Sequence, residues 1–317
     1  MTYKNLKKFL IENKNTKLNF DLIPKSIKSK IILCVGDGAH ITSAILSSIM
    51  KECDVPHSHY TTYNGYELKN RFINSNSSIN IMDLCAKADF LLQRSKKNIS
   101  SEFLLFISAL YLLDFEEYLI LDITSELYRN IISHISAFAI VLATTNDEEA
   151  EYLISHAHNG TKEIISLTKK DNFDFISSTK LLSGARVSYA SPNKINISKA
   201  TIFETEFFHY DFKYSVPLID QNNIQYAHLA IESANAIFSP IRQKILKGLK
   251  KSSPPDDFEL HSLSPAILFR TNPKPFILHH SLDFDIVLEQ NEVIAPSKNT
   301  IFWGNTEFIE KVKKQLN

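Results

Sequence analysis

The segment KIILCVGDGAHITSAILSSIM, residues 30–50, constrains the fold more than any other part of the chain. Its apolar run from Ile31 to Val35 is short and rich in β-branched residues, which predicts a buried strand. Gly36 and Gly38 follow and permit a tight loop. An apolar-periodic stretch, TSAILSSIM, then predicts a helix. A strand, a glycine-bearing loop and a helix in this order have the outline of a phosphate-binding loop.

The predicted helix opens at Thr42 and Ser43, and His40 stands where a phosphate-binding loop carries its lysine. That lysine neutralises the terminal phosphates of a nucleotide. Histidine does so only when protonated, and its ordinary pKa is about 6.5. Thr42 has the hydroxyl that such a loop uses to hold Mg²⁺. The candidate cofactor-binding residues of this segment are Gly36, Gly38, His40, Thr42 and Ser43.

Composition limits the classes of function. The 317 residues suffice for two domains or one large one. Lys+Arg and Asp+Glu number 35 each, which gives no case for a nucleic-acid partner or an anionic membrane surface. No apolar run has the length of a membrane span, and the three dispersed cysteines predict buried, reduced thiols in a cytoplasmic protein. Only 7 glycines occur, which argues mildly against a nucleotide enzyme.

The order of predicted elements indicates an α/β fold with a mainly parallel sheet flanked by helices. Residues 200–218, ATIFETEFFHYDFKYSVPL, alternate as antiparallel strands do, and their aromatic residues predict a core face. The stretch DEEAEYLISHAHNG predicts a helix that ends at Gly160. A linker, SSPPDDF, begins at Ser252 and predicts two domains, residues 1–252 and 253–317.

Histidine is common, with 11 in the chain. His57 and His59 are two residues apart and share a face if their segment is extended. A zinc site needs three or four convergent ligands, and neither H-E-x-x-H nor C-x-x-C occurs. The histidines are therefore predicted to be structural or exposed to solvent.

Several segments of the chain are similar to the motifs of one group of enzymes, and they occur in the same order along the sequence. These segments are GDGAHITS (36–43), YTTYNGYELKNRF (60–72), ILDITSELYR (120–129), AHNG (157–160), NNIQYAHLA (222–230) and LFRTNP (268–273). Together they resemble the Mur ligase superfamily, most closely its folylpolyglutamate synthase and dihydrofolate synthase branch. Those enzymes use ATP to join an amino acid to a carboxylate through an acyl phosphate. The resemblance implies a central domain like that of a P-loop protein and a shortened α/β C-terminal domain.

The resemblance also implies roles for single residues. It places Arg71 and His158 at catalytic positions, Tyr226 and Asn272 at the nucleotide, and Asp122 with Thr42 at the Mg²⁺ ion. The family has a carbamylated lysine at His158, an asparagine at Tyr226 and a metal-binding glutamate at Asp122. Most positions that meet ATP or metal therefore differ from the family.

Three functions stay open on these grounds. The first is a pseudoenzyme that uses no cofactor and binds a small carboxylate ligand or a protein partner. The second is an active ligase that uses ATP and Mg²⁺ to form an amide on a folate-like or other carboxylate substrate. The third is a structural subunit of a heteromeric ligase or amidotransferase. Neither a nucleic acid nor a membrane is expected as a partner in any of the three.

Overall fold

The computed structural model describes residues 1–13, 16–62, 67–74, 77–157, 160–167, 184–191, 195–254, 258–263, 266–270, 276–278, 282–288 and 298–316. Two of the candidate site residues, His158 and Asn272, lie outside the described residues, so their roles stay predictions.

Eight of the nine described helices lie on the two sides of a central sheet, and the last one packs against a separate sheet. The nine are α1 (Tyr3–Glu12), α2 (Ala39–Glu52), α3 (Ile81–Arg94), α4 (Ser101–Leu112), α5 (Ser125–Ile131), α6 (Asp147–Ser155), α7 (Gln221–Phe238), α8 (Arg242–Lys251) and α9 (Thr306–Leu316). Short 3₁₀ turns lie at Phe20–Leu22 and Leu68–Arg71.

The strands form three sheets in the described part of the chain. The first sheet contains β1 (Lys30–Val35), β2 (His57–Tyr60), β3 (Phe72–Asn74), β4 (Ser77–Ser78), β5 (Tyr118–Ile123), β6 (Ala139–Leu142), β7 (Glu163–Ser166) and β8 (Arg186–Tyr189). The second contains β9 (Ile195–Ala200), β10 (Thr205–His209) and β11 (Phe212–Val216). The third contains β12 (Phe258–Leu263), β13 (Ala266–Arg270), β14 (Asp285–Leu288) and β15 (Thr300–Trp303).

The first sheet has the order β4-β3-β2-β5-β1-β6-β7-β8, and every pairing from β2 to β8 is parallel. At one edge, β3 is the reversed strand and pairs antiparallel with both of its neighbours, β2 and β4. Both faces are buried, because alternate residues of β1 enter different cores. Ile31 and Leu33 face the core with α1 and α3 to α6, whereas Ile32 and Cys34 face the core with α2, α7, α8 and the second sheet. The predicted mainly parallel α/β fold is confirmed.

The second sheet is antiparallel, with the order β11-β10-β9, as the alternation of residues 200–218 predicts. Phe207 and Tyr214 are cross-strand partners, and their stacked rings lie 5.9 Å apart between centroids. Both side chains are buried in the core that contains α2 and α7. The predicted core role of this aromatic face is therefore confirmed for these two residues, while Phe212 and Tyr210 are exposed.

Two predicted helix boundaries are wrong. Helix α2 begins at Ala39, ahead of the predicted opening at Thr42 and Ser43, because Gly38 already takes the N-cap position. Helix α6 ends at Ser155, well before Gly160. There the Nδ1 atom of the His156 ring hydrogen-bonds to the Tyr152 carbonyl at 2.8 Å. If the helix continued, the backbone amide of His156 would donate to that same carbonyl.

The third sheet has the order β12-β13-β15-β14 and packs α9 against a small core of its own. Strand β12 already begins at Phe258, the last residue of the predicted linker. The domain boundary after residue 252 stays a prediction. No helix in the described part of the chain combines the length and the apolar composition that crossing a bilayer requires.

Candidate functional site

The glycine loop lies at the carboxyl end of β1, between the ends of β5 and β6. In open parallel sheets this edge is where ligands bind. Gly36 has a φ of 109°, and a Cβ there would lie 2.8 Å from the Ala143 carbonyl oxygen. The Gly38 amide donates to the same oxygen at 3.0 Å. Glycine is required at residue 36 both by its backbone conformation and by the close approach of the loop to β6.

The ring of Tyr226 covers the loop at Gly38. A Cβ on Gly38 would lie 2.1 Å from two carbon atoms of that ring, so the ring occupies the space directly over the glycine. Burial, together with the nearby charge of Asp37, raises the pKa of Tyr226 to about 12. The buried Thr42 hydroxyl donates to the Tyr226 carbonyl at 3.4 Å. The structure thus brings together Gly36, Gly38, Thr42 and Tyr226, which the sequence places at the nucleotide.

Ser43 lies one residue further along α2 and faces β2. Its hydroxyl donates to the His40 carbonyl at 3.2 Å and hydrogen-bonds with His59 Nε2 at 3.1 Å. One helical turn later Ser47 meets His57 Nε2 at 2.8 Å. Burial lowers the pKa of His59 to about 3 and lowers that of His57 as well. Both imidazoles therefore stay neutral at physiological pH and act as hydrogen-bonding core residues, as predicted.

Asp122 lies near the end of β5, beside Cys34 of β1, and is buried. Its carboxylate accepts the Thr61 hydroxyl at 2.5 Å, the Thr62 amide at 3.3 Å and the Thr62 hydroxyl at 3.4 Å. Burial raises the pKa of Asp122 to about 6, and Glu102 adds to the shift, while the threonine hydrogen bonds oppose it. Both carboxylate oxygens of the candidate Mg²⁺ ligand thus have protein partners.

Arg71 ends the 3₁₀ turn before β3, and its carbonyl accepts the Thr61 amide at 3.0 Å. This places it next to the residue that holds Asp122. The buried Nε of Arg71 makes no hydrogen bond to the described residues. Burial lowers the pKa of the guanidinium, and Tyr60 and Tyr3 oppose that shift. His40, the residue at the lysine position, is half-buried in the first turn of α2.

A cavity of about 370 Å³ opens away from this site, between the segment before β1 and the end of α3. It is lined by Lys17, Leu18, Asn19, Phe20, Asp21, Ser95 and Asn98. None of the sequence-predicted site residues is among them, so it has no place in the chemistry implied by the motifs.

Sequence reasoning missed two groups around Asp122. Thr62 supplies two of its hydrogen bonds, and Glu102 influences its pKa while accepting the Thr124 hydroxyl at 2.6 Å. Only one sequence signal points to Thr62. It follows a buried strand at the carboxyl edge of the sheet, where site residues of parallel sheets gather.

Comparison with solved structures places this geometry in a known fold. No protein-family model matches the chain, and comparison with curated proteins finds no match. Folylpolyglutamate synthetase from Lactobacillus casei matches with a TM-score of 0.69 and 12% identity over 100% of both chains. The bifunctional folylpolyglutamate synthase/dihydrofolate synthase from Yersinia pestis CO92 matches with a TM-score of 0.62 and 12% identity, over 85% of this chain and 71% of its own.

A third structure, E. coli FolC in complex with DHPP and ADP, has a TM-score of 0.62 and 16% identity over 85% of this chain and 70% of its own. The chain therefore has the same fold as these folylpolyglutamate synthase/dihydrofolate synthase structures. The predicted resemblance is confirmed at the level of the fold.

Proposed function

We propose that this chain is a pseudoenzyme, a binding protein on a folylpolyglutamate synthase fold whose own side chains fill the place of ATP and Mg²⁺. One observation carries the proposal. The Tyr226 ring lies directly over Gly38, while the Thr42 hydroxyl is bonded to the Tyr226 carbonyl. A phosphate-binding loop needs open backbone amides and a hydroxyl that reaches the metal ion. Here a nucleotide would have to displace a buried aromatic ring and break the hydrogen bond from Thr42.

The state of Asp122 supports the same conclusion. Mg²⁺ demands near-ideal octahedral geometry and usually binds through one or two carboxylates. Thr61 and Thr62 already donate to both oxygens of Asp122. The raised pKa of about 6 also means that the protein stabilises the neutral acid more than water does. A metal ion here would have to replace hydrogen bonds that the fold supplies.

Arg71 indicates which class of ligand the proposed binding protein would bind. Its half-buried guanidinium has an Nε that makes no hydrogen bond within the described residues. Guanidinium groups bind carboxylates through two parallel hydrogen bonds, so Arg71 fits a carboxylate ligand that binds once the buried Nε becomes accessible. A small carboxylate is therefore the proposed ligand, and Arg71 its anchor.

The test is a calorimetric titration of the purified chain with a non-hydrolysable ATP analogue and Mg²⁺, repeated with Tyr226→Asn. We expect no saturable heat from the natural sequence up to millimolar analogue. Tyr226→Asn removes the ring from Gly38 and restores the residue that the family carries, so measurable binding is expected to appear there. Saturable binding by the natural sequence, tighter than about 1 mM, would overturn the proposal.

An active ATP-dependent carboxylate–amine ligase is the second candidate. It is favoured by the ADP in the E. coli FolC complex and by a carboxylate, Asp122, at the end of a strand beside the loop. ATP turnover by the purified chain decides between the two. Turnover that is lost in both Thr42→Ala and Asp122→Asn would establish the ligase, while turnover that survives both changes would come from another source.

A further inference from the structure

A second cluster of chemically active side chains lies away from the glycine loop. His209 is the last residue of β10, and His228 and Glu232 lie on α7. The Nδ1 atoms of His209 and His228 are 2.5 Å apart, and His209 Nε2 is 3.4 Å from Glu232 Oε1. One ligand atom from each of the three residues lies within 4.8 Å of the other two. Among the described residues no other trio meets this condition.

The fold explains why these residues meet. His228 and Glu232 are four residues apart on α7, so they project from the same face of the helix. The end of β10 brings His209 over that face, in the core where the second sheet packs on α7. Tyr226 is two residues before His228 and therefore lies on a different side of the helix. The cluster is thus separate from the loop, and its role does not depend on whether ATP binds.

We propose that His209, His228 and Glu232 bind one divalent transition-metal ion, with Zn²⁺ as the best match. Two imidazole nitrogens and one carboxylate oxygen are a ligand set that zinc accepts, with a fourth position left for water. Zinc–nitrogen bonds of about 2.0–2.1 Å in a tetrahedron separate two ligand nitrogens by a little over 3 Å. The two Nδ1 atoms lie closer than this, at 2.5 Å, so an ion bound by both would require the two rings to move apart.

The surroundings suit a bound cation. Both histidines are at least 96% buried, so their ring positions are fixed by packing, while Glu232 is 18% exposed and gives the ion a route from solvent. The rings of Tyr210 and Tyr214 stand edge-on to His209, at 4.6 and 5.8 Å between centroids. This shell limits water around the ion. The metal ion would clamp the second sheet onto α7 and so stabilise the folded chain.

The simpler alternative is a hydrogen-bonded triad in which one proton lies between the two imidazoles and Glu232 holds the far nitrogen of His209. It satisfies the same distances without an ion. The two interpretations differ in one measurable respect, because only the metal site gains stability in proportion to the concentration of the ion.

The experiment uses the full chain, stripped of metal with a chelator and then titrated with Zn²⁺ against a chromogenic competitor. We expect one Zn²⁺ per chain and a rise in the thermal midpoint with Zn²⁺ concentration. Glu232→Gln keeps the size of the side chain but removes the charged ligand. It should weaken binding by at least about ten-fold, the lower end of what losing even an outer-shell partner costs.

Glu206→Gln is the matched control. Glu206 lies on the same strand as His209 and pairs with Lys213 at 2.7 Å, outside the cluster. Its substitution should leave Zn²⁺ affinity unchanged. A folded natural sequence that takes up no Zn²⁺, or that binds it as Glu232→Gln does, would overturn the proposal. The first result would leave the hydrogen-bonded triad, and the second would assign the zinc to histidines elsewhere on the chain.

Discussion

At the scale of the residue, burial decides the charge of the histidines on β2. The sequence shows that His57 and His59 share a face, and the structure adds their partners, Ser47 and Ser43, one helical turn apart on α2. Strand period and helix period coincide here, since two residues of strand and four of helix cover similar lengths. Each neutral imidazole is thereby satisfied in the core, and protonating it would place a charge there.

We expect acid to destabilise the chain through His59. The pKa of His59 is about 6.5 in the unfolded state and about 3 in the folded state. Below pH 6.5 the unfolded state therefore binds a proton at this residue, whereas the folded state does not. The free energy of unfolding therefore falls as pH falls, by about 2 kcal/mol from this residue between pH 7 and pH 5. Urea denaturation at both pH values should show that His59→Gln removes this part of the loss.

His156→Gln is the control for that measurement, because His156 is exposed and lies far along the chain from β2. It should leave the pH dependence of the natural sequence in place. Equal slopes for His59→Gln and the natural sequence would mean that His59 is not held neutral by the fold.

Some features of the candidate site can be predicted from the sequence, and others cannot. The position of the glycine loop follows from a local pattern and is confirmed. The contact of the Tyr226 ring with Gly38 could not be predicted from any sequence pattern. The two residues belong to distant segments and meet only because α7 packs on α2. The partners of Asp122 are hidden for the same reason. Local periodicity specifies elements, and contacts between elements specify the chemistry.

At the scale of the element, the packing of α2 against α8 depends on one glycine. A Cβ on Gly248 would lie 2.6 Å from the Cα of Ile49, and the Ser48 hydroxyl donates to the Gly248 carbonyl at 2.7 Å. The obstacle is backbone, which cannot turn aside as a flexible side chain can. The two helices therefore approach closely at this point because residue 248 lacks a side chain.

Gly248→Ala should destabilise the chain despite the better helix propensity of alanine. The propensity gain is about 1 kcal/mol at most, whereas overpacking a tight interface costs roughly 1–3 kcal/mol. We expect a net loss of unfolding free energy on the order of 1–2 kcal/mol, measured by urea denaturation. Lys247→Ala, at an exposed position of the same helix, is the control and should change stability by less than about 0.5 kcal/mol. A stabilised Gly248→Ala chain would show that the helices can separate at no cost.

Most elements of the chain could be predicted because their apolar periods are strong, as for β1 and β5, which are buried on both faces. The ends of elements were harder. At the end of α6 the side chains of Ser155 and His156 both bond to the Tyr152 carbonyl, and α2 starts at a glycine N-cap. Strand β12 was hidden because it begins inside a segment whose composition is that of a linker.

At the scale of the whole molecule, Asp220 joins the start of α7 to the segment between β13 and β14 of the third sheet. Its carboxylate accepts the Asn222 amide at 3.0 Å and so caps α7. The same oxygen accepts the Ile277 amide at 3.1 Å, and Gln221 donates to the Ile277 carbonyl at 2.9 Å. The neighbouring Ile219 packs on Leu268 and Ile301 of β13 and β15. A single buried side chain thus serves a helix and the attachment of a sheet.

Asp220→Ala should therefore do more than remove a cap. A lost N-cap typically costs about 1 kcal/mol, but here the Ile277 amide also loses its acceptor. We expect amides of β13 and β15 to lose protection in hydrogen exchange, while those of β1 and β5 keep theirs. Asn80→Ala removes a cap of the same geometry from α3, where Asn80 accepts the Met82 amide at 2.9 Å. Asn80→Ala should lower stability without selective loss of protection in the third sheet. If the two variants show the same exchange pattern, Asp220 does not join α7 to the third-sheet region.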